Sequence, residues 1–163
     1  MTERETPQAL DRSVRQVFDD LVRVETLLWN RLDATVRNHV GIGLGSVEVL
    51  ELIAETPNCR VQDIARRLAI TVGGTSQAVD RLEAKALCQR RPNAADRRSS
   101  VLELTDAGAE LLSAVTGLMA DHLRTSLRDP LSDAAYRHLA DAVRTLRHAA
   151  ERPPAAAPAP APQ

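Results

Sequence analysis

The sequence VQDIARRLAITVGGTSQAVDRLEAKALCQRRPNAADRRSSVLELT, residues 61–105, decides the fold. Its first part predicts two helices, because apolar residues recur at three- and four-residue steps in Val61–Ala69 and again from Gly74 to Leu87. The segment Thr71–Gly74 between them contains two adjacent glycines and predicts a tight turn.

The second part of this stretch changes from helical to strand periodicity. Cys88–Arg91 and Ser99–Leu104 flank a polar loop rich in Pro, Asn and Asp, which is typical of a β-hairpin. Thr105 follows as a predicted helix N-cap, with Asp106 favourably placed in the first turn of the next helix.

The flanking sequence predicts a chain that is mainly helical. Leu10–His39 contains no Gly or Pro and carries one apolar stripe, so it predicts a helix that is too long for a core of this size. The predicted regions are a frayed N-terminus at 1–9, a helix and turn at 10–44, a winged region at 45–105, further helices at 106–150 and a disordered Pro/Ala tail at 151–163.

Two short helices followed by a hairpin define a winged helix-turn-helix, in which the second helix enters the major groove of DNA with its N-terminal residues. Side chains that are small or able to hydrogen-bond suit that position, although the glycine pair taken alone is better explained as a turn. The predicted DNA contacts on this helix are Gly73, Gly74, Thr75, Ser76, Gln77 and Arg81.

Charge is distributed unevenly along the chain. The net charge of the whole chain is −1, but residues 60–98 hold nine cations and four acids. A cluster of cations is the electrostatic footprint of a surface that faces phosphate, although such a run is more often a solvated face.

The predicted hairpin tip contains Asp96, Arg97 and Arg98. A wing reaches a neighbouring minor groove, whose negative potential attracts arginine, and an adjacent carboxylate can orient one guanidinium. We therefore predict that these three residues take part in DNA binding. The alternative is a solvated loop with an ion pair of little energetic value.

The sequence resembles the multiple-antibiotic-resistance regulator (MarR) family of transcriptional regulators. The likeness is carried by Asp96–Gly108, which matches Asp-x-Arg, a short strand and then Leu-Thr-x-x-Gly opening a helix. Asp63–Leu68 and Val79–Lys85 match the helix-turn-helix of the family in order and spacing. The sequence departs from the family at Ala86, where glycine is usual, and at Gly45, where Ser or Thr often caps the second helix.

The resemblance implies a fold with N- and C-terminal dimerisation helices, located in regions 10–44 and 106–150. It implies Arg98 as the minor-groove arginine, Asp96 as its orienting partner and 72–82 as the part in the major groove. It also implies a homodimer on double-stranded DNA, acting as a repressor that an aromatic or lipophilic small-molecule effector releases.

Trp29 and Asp80 are the predicted effector-binding residues. A tryptophan can stack on a planar ligand, and the urate-responsive members of the family pair such a residue with an aspartate of the recognition helix. Packing in the core or dimer interface is the more common role of a lone tryptophan such as Trp29. The sequence places no cysteine at the start of the first helix, where peroxide sensors of the family carry one, so redox control by Cys59 or Cys88 is not expected.

Other classes of protein are not favoured by the sequence. It contains no nucleophile with a nearby base, no phosphate-binding glycine loop and no metal-ligand spacing, so we predict no enzyme, no cofactor and no metal. Neither a secretion signal nor a membrane span is evident, which predicts a cytoplasmic protein without a membrane partner. The main alternative is a dimeric helical interaction module whose winged domain does not bind DNA.

Overall fold

The longest element, α1, extends beyond the core that it helps to build. In the computed structural model, which describes residues 7–93 and 99–152, α1 spans Pro7–Val40 and so begins within the region predicted to be frayed. Leu32 and Val36 are buried. The N-terminal half of α1 instead exposes a row of large apolar side chains, as expected of a helix longer than its core: Val14, Val17, Phe18, Leu21, Val22 and Val24.

The elements after α1 occur in the predicted order, which confirms a mainly helical fold with a small hairpin wing. They are α2 (Leu44–Glu55), α3 (Val61–Arg67), α4 (Val72–Ala84), β1 (Cys88–Pro92), β2 (Ser100–Leu104) and α5 (Asp106–Leu123). The two strands pair antiparallel, with Cys88 opposite Leu104 and Pro92 opposite Ser100. The predicted hairpin tip lies outside the described residues.

One apolar core joins the helices to the wing. Leu50 of α2, Ile64 of α3 and Leu82 of α4 are fully buried together with Leu102 of β2 and Val115 of α5. The wing is also tied to the segment before α3, since the backbone N–H of Leu102 donates to the carbonyl oxygen of Cys59 at 2.8 Å. Helices α3 and α4 therefore bury the apolar faces that their sequence periodicity predicted.

The described residues form two units, and the second starts at Leu123. It contains a π-helical turn, Arg124–Arg128, and then α6, Asp133–Ala150. Ser132 is the N-cap of α6, and its hydroxyl accepts from the N–H of Ala135 at 3.3 Å. Three apolar side chains of α6 are exposed: Leu139, Val143 and Leu146.

The junction between the wing and α5 is built around Thr105, the predicted N-cap. Its hydroxyl accepts from the N–H of Gly108 at 3.1 Å and donates to the carbonyl of Ala86 at 2.6 Å. Its own N–H donates to the carbonyl of Leu87 at 3.2 Å. A Cβ on Gly108 would overlap that carbonyl oxygen, so only glycine allows α5 to approach this closely.

Ala86 adopts a left-handed backbone conformation with φ of +56°. This explains why the family usually has glycine there, because a Cβ makes that conformation costly. Replacing Ala86 with glycine should raise the free energy of unfolding by about 0.5–1 kcal/mol, the net of relieved strain and the greater entropy of the unfolded chain. Urea-induced unfolding followed by circular dichroism measures this change.

The matched control is Ala114→Gly, at an exposed position inside α5. There the same substitution should cost about 1 kcal/mol, because glycine is a poor helix former. A loss of stability in Ala86→Gly comparable to that in Ala114→Gly would contradict the backbone-strain explanation.

Candidate nucleic-acid interface

The start of α4 differs from the sequence-based prediction. Gly73 and Gly74 were expected to form the turn, but both lie in the first turn of α4, which begins at Val72. The cap is Thr71, whose hydroxyl accepts from the N–H of Gly74 at 3.1 Å. A threonine cap that satisfies a free N–H offsets part of the poor helix propensity of two glycines.

The exposed face of α4 holds most of the predicted contact residues. Gly73, Gly74, Gln77 and Arg81 are exposed, and Ser76 is half-buried. No atom lies near the position where a Cβ of Gly73 would stand, which leaves its backbone open to a large ligand. This face therefore combines accessible backbone with side chains that can read base edges.

Thr75 is the exception, and its prediction as a DNA contact was wrong. Its side chain is fully buried, and its hydroxyl donates to the carbonyl of Thr71 at 3.0 Å. Helical periodicity places Thr75 on the same inward face as Val79 and Leu82, which are also buried.

Arg90 of β1 fastens the wing to α4. Its guanidinium pairs with the carboxylate of Asp80 at 2.7 Å and with that of Glu83. Its backbone N–H also donates to Glu83 at 2.8 Å. Sequence reasoning counted Arg90 only as part of the basic cluster, whereas these bonds link the exposed face of α4 to the hairpin.

The predicted wing-tip residues, Asp96, Arg97 and Arg98, lie outside the described residues. The wing strands that lead to them are described, and Arg91 of β1 pairs with Glu103 of β2. Their contribution to DNA binding stays a prediction.

Trp29 and Asp80, predicted to share an effector site, are not brought together. Trp29 is 38% exposed and lines an open cleft of about 940 Å³ between α1, α2 and the helix-turn-helix. Asp80 does not line this cleft and pairs with Arg90. Arg81, one residue further along α4, lines the cleft instead, since successive helical residues point about 100° apart.

Asp33 of α1 supplies the cap that α2 lacks. The N-cap of α2 is Gly43, not Gly45, and has no side chain to bond the free N–H groups. The N–H of Leu44 donates to the Asp33 carboxylate at 2.8 Å, and Arg37 pairs with that carboxylate at 3.0 Å. The hydrogen bond from Leu44, supported by Arg37, lowers the pKa of Asp33 despite its partial burial.

Both cysteine thiols lie in the interior. Cys59 and Cys88 are buried and free. Burial, with the nearby Glu83 carboxylate, raises the pKa of Cys88 to about 11, and burial also raises the pKa of Cys59. Reactive cysteines need an accessible thiolate, so neither thiol meets the requirement for oxidant sensing.

These features together define a winged helix-turn-helix protein. Its recognition helix, α4, presents an exposed polar face beside the wing. Residues 43–100 match the model of the MarR family. This region is therefore a MarR-family domain, which confirms the resemblance predicted from the sequence. Members of the family are transcriptional regulators and not enzymes, in agreement with the prediction that the chain has no catalytic function.

The chain is similar to characterised proteins in sequence and structure. It is 31% identical over 100 residues to the HTH-type transcriptional repressor MdtR of Bacillus subtilis (strain 168), a match that spans 59% of this chain and 64% of that protein. It superposes with a TM-score of 0.78 on a MarR family transcriptional regulator from Streptomyces coelicolor in complex with DNA, covering 91% and 95% of the two chains at 24% identity.

A second similar structure is that of Bordetella bronchiseptica BpsR, whose DNA binding is regulated by 6-hydroxynicotinic acid. The TM-score is 0.71 at 20% identity, with 81% of this chain and 98% of that chain covered.

Within the described ranges 7–93 and 99–152, no helix has the length and apolarity that a bilayer crossing requires.

The stabilising effect of the Asp33 cap on α2 can be tested by substitution. Asp33→Asn removes the charge from the α2 cap and should lower the free energy of unfolding by about 1 kcal/mol near pH 7. The pKa of Asp33 is lower in the folded protein than in the unfolded chain. Its stabilising contribution is therefore fully present at pH values above the unfolded-state pKa, and it is lost as the pH falls through the folded-state pKa. Urea unfolding at about pH 7 and again near pH 3 measures the difference.

Asp19→Asn is the matched control, because Asp19 forms an exposed ion pair with Arg15 on the same helix. An exposed pair of this kind contributes little, so that variant should stay near wild type at both pH values. Equal effects of the two substitutions would contradict the capping role of Asp33.

Proposed function

We propose that this protein is a sequence-specific transcriptional regulator that binds double-stranded DNA in the cytoplasm. The observation that carries the proposal is the exposed polar face of α4, with Gln77 and Arg81, held beside the wing by the Arg90 bonds to Asp80 and Glu83. The described part of the wing and α4 lie in the arrangement that helix-turn-helix proteins use to read a major groove. Similarity to a regulator bound to DNA supports the same function.

The active form is proposed to be a homodimer. The exposed apolar rows of α1 and of α6 each lack a partner among the described residues of one chain, and burying such rows is favourable. The family resemblance assigns both regions to dimerisation. A twofold dimer should recognise a pseudo-palindrome whose half-sites lie about one helical turn apart.

The regulatory outcome is proposed to be repression that a small molecule relieves. MdtR is a transcriptional repressor, and DNA binding by BpsR responds to an aromatic acid. In this chain, the cleft beside Trp29 is the proposed effector site. Its lining includes Trp29, Arg67 and Arg81, together with Asp33, which is paired with Arg37, and Glu48, whose pKa is raised by burial. An indole beside two arginines suits a planar aromatic anion.

Arg81 connects the two proposed sites, because it lies on the exposed face of α4 and also lines the cleft. An anion bound in the cleft would attract the guanidinium that DNA also requires. A bound effector would therefore weaken DNA binding by direct competition for one cation, without a long-range conformational change.

DNA binding is tested with duplexes from the region upstream of the chain's own gene. Arg81→Ala should weaken binding by about fivefold or more, since a good base or phosphate contact contributes about 1–3 kcal/mol. Fluorescence anisotropy of a labelled duplex gives the affinity, and its stoichiometry should be two chains per duplex. Wild-type affinity should also fall steeply with salt.

Arg15→Ala serves as the control, because it removes the same charge from an exposed position of α1 outside the winged region. Its affinity should match wild type. Absence of salt-dependent DNA binding by the wild type, across the upstream duplexes, would instead favour the helical interaction module.

The effector site is tested with benzoate, a simple aromatic anion. Trp29 is the only tryptophan in the sequence, so its fluorescence reports on the cleft alone. Benzoate should change this fluorescence saturably and release the duplex over the same concentration range. Trp29→Leu, which keeps an apolar side chain but removes the ring, should need at least tenfold more benzoate for release. Unchanged release in this variant would rule out stacking on Trp29.

A further inference from the structure

A polar groove, separate from the Trp29 cleft, lies where the start of α3, the first turns of α4 and the base of the wing meet. Its volume is about 490 Å³. Every polar side chain that lines it can donate a hydrogen bond, and no carboxylate is among the lining residues that the structure describes. These polar residues are Arg60, Gln62, Ser76, Arg90, Ser99 and Ser100.

The carboxylates closest to this groove already have cationic or backbone partners. Asp63 accepts from the backbone N–H of Arg60 at 3.1 Å and pairs with Arg66 at 3.6 Å. Asp80 and Glu83 neutralise Arg90. The Arg60 guanidinium, by contrast, forms no ion pair with any residue in the ranges 12–93 and 99–152, whose side chains the structure describes. Among the lining residues that the structure describes, Arg60 is therefore the cation without a carboxylate partner.

We propose that this groove seats a backbone phosphate of duplex DNA, with Arg60 as the charged contact and Ser76 and Ser100 as neutral donors. The inference rests on the proposed DNA-binding function. An anionic, oxygen-rich ligand fits a lining of donors without acids. Ser76 belongs both to the groove and to α4, so a phosphate bound here would lie on the strand that flanks the bases read by Gln77.

Arg90 has a different role in the same groove. Its three bonds to Asp80 and Glu83 commit it to holding β1 against α4. It forms a wall of the groove and acts as a positioning residue. Arg60, which precedes α3 and lies outside the recognition helix, carries the contact that the sequence pattern did not single out.

The test compares the salt dependence of DNA affinity in wild type, Arg60→Gln and Arg66→Gln. Each phosphate contact contributes about 0.9 to the slope of log affinity against log salt. Arg60→Gln should lower this slope by about one, so that its loss of affinity between about 50 and 200 mM salt is roughly threefold to fourfold smaller than in wild type. Arg66→Gln removes the same charge from α3 outside the groove and should keep the wild-type slope.

A second variant tests the groove by repulsion. Ser100→Asp places a carboxylate in the groove and should weaken binding at least tenfold, whereas Ser113→Asp on the exposed face of α5 should not. Thermal unfolding of each variant confirms that it is folded under the assay conditions.

Three outcomes would overturn the proposal. If Arg60→Gln binds DNA with the wild-type salt dependence, the phosphate contact in the groove is contradicted and the proposed DNA-binding function still holds. If Arg60→Gln and Arg66→Gln change the salt dependence equally, the effect is one of overall charge and not of a phosphate bound in the groove. If the wild-type protein shows no salt-dependent DNA binding, both the proposed function and the phosphate contact in the groove are contradicted.

Discussion

The close approach of α5 to the end of α4 is the constraint on which the winged region depends. Gly108 lies against the carbonyl of Leu87, and Thr105 bonds to Gly108, Ala86 and Leu87 at once. These contacts fix where β2 ends relative to where β1 begins, because both strands are attached to this junction. The wing can then lie beside α4 in one register, with Arg90 reaching Asp80 and Glu83. The left-handed conformation of Ala86 is part of the energetic cost of this geometry.

A second constraint joins the long helix to the DNA-binding lobe. Asp33 of α1 caps α2 through the N–H of Leu44, and Leu32 and Val36 pack into the same core as α2. The rest of α1 carries exposed apolar side chains. One helix thus has two functions along its length, since its C-terminal half belongs to the lobe and its N-terminal half remains available to a partner.

The sequence was sufficient to predict elements whose signal is local. Periodicity predicted α3, α4 and the hairpin, and the Thr105 cap was recognisable because a capping side chain lies within three residues of the N–H that it bonds. The start of α4 was missed because two glycines indicated a turn, whereas Thr71 caps a helix that includes both of them by accepting a hydrogen bond from the N–H of Gly74. Thr75 was misjudged because a short polar residue was taken as exposed although its helical position faces the core.

Interactions between residues distant in sequence could not be predicted in this way. The cap that Asp33 provides to Leu44 crosses a turn, and no spacing rule connects them. The bonds of Arg90 depend on the register of the hairpin, which composition does not specify. The Trp29 cleft likewise required the fold, since it pairs Trp29 with Arg81 where sequence reasoning had chosen the adjacent Asp80.

The basic character of residues 60–98 acquires a different meaning once these pairs are known. Arg66, Arg90 and Arg91 each have a carboxylate partner, so part of the positive charge is compensated within the winged region. Charge that is compensated within the protein releases few counterions on DNA binding. The cations without a partner among the described residues, including Arg60 and Arg81, lie at the phosphate groove and on the exposed face of α4. Affinity for DNA should therefore depend on where the uncompensated arginines lie more than on the net charge of the segment.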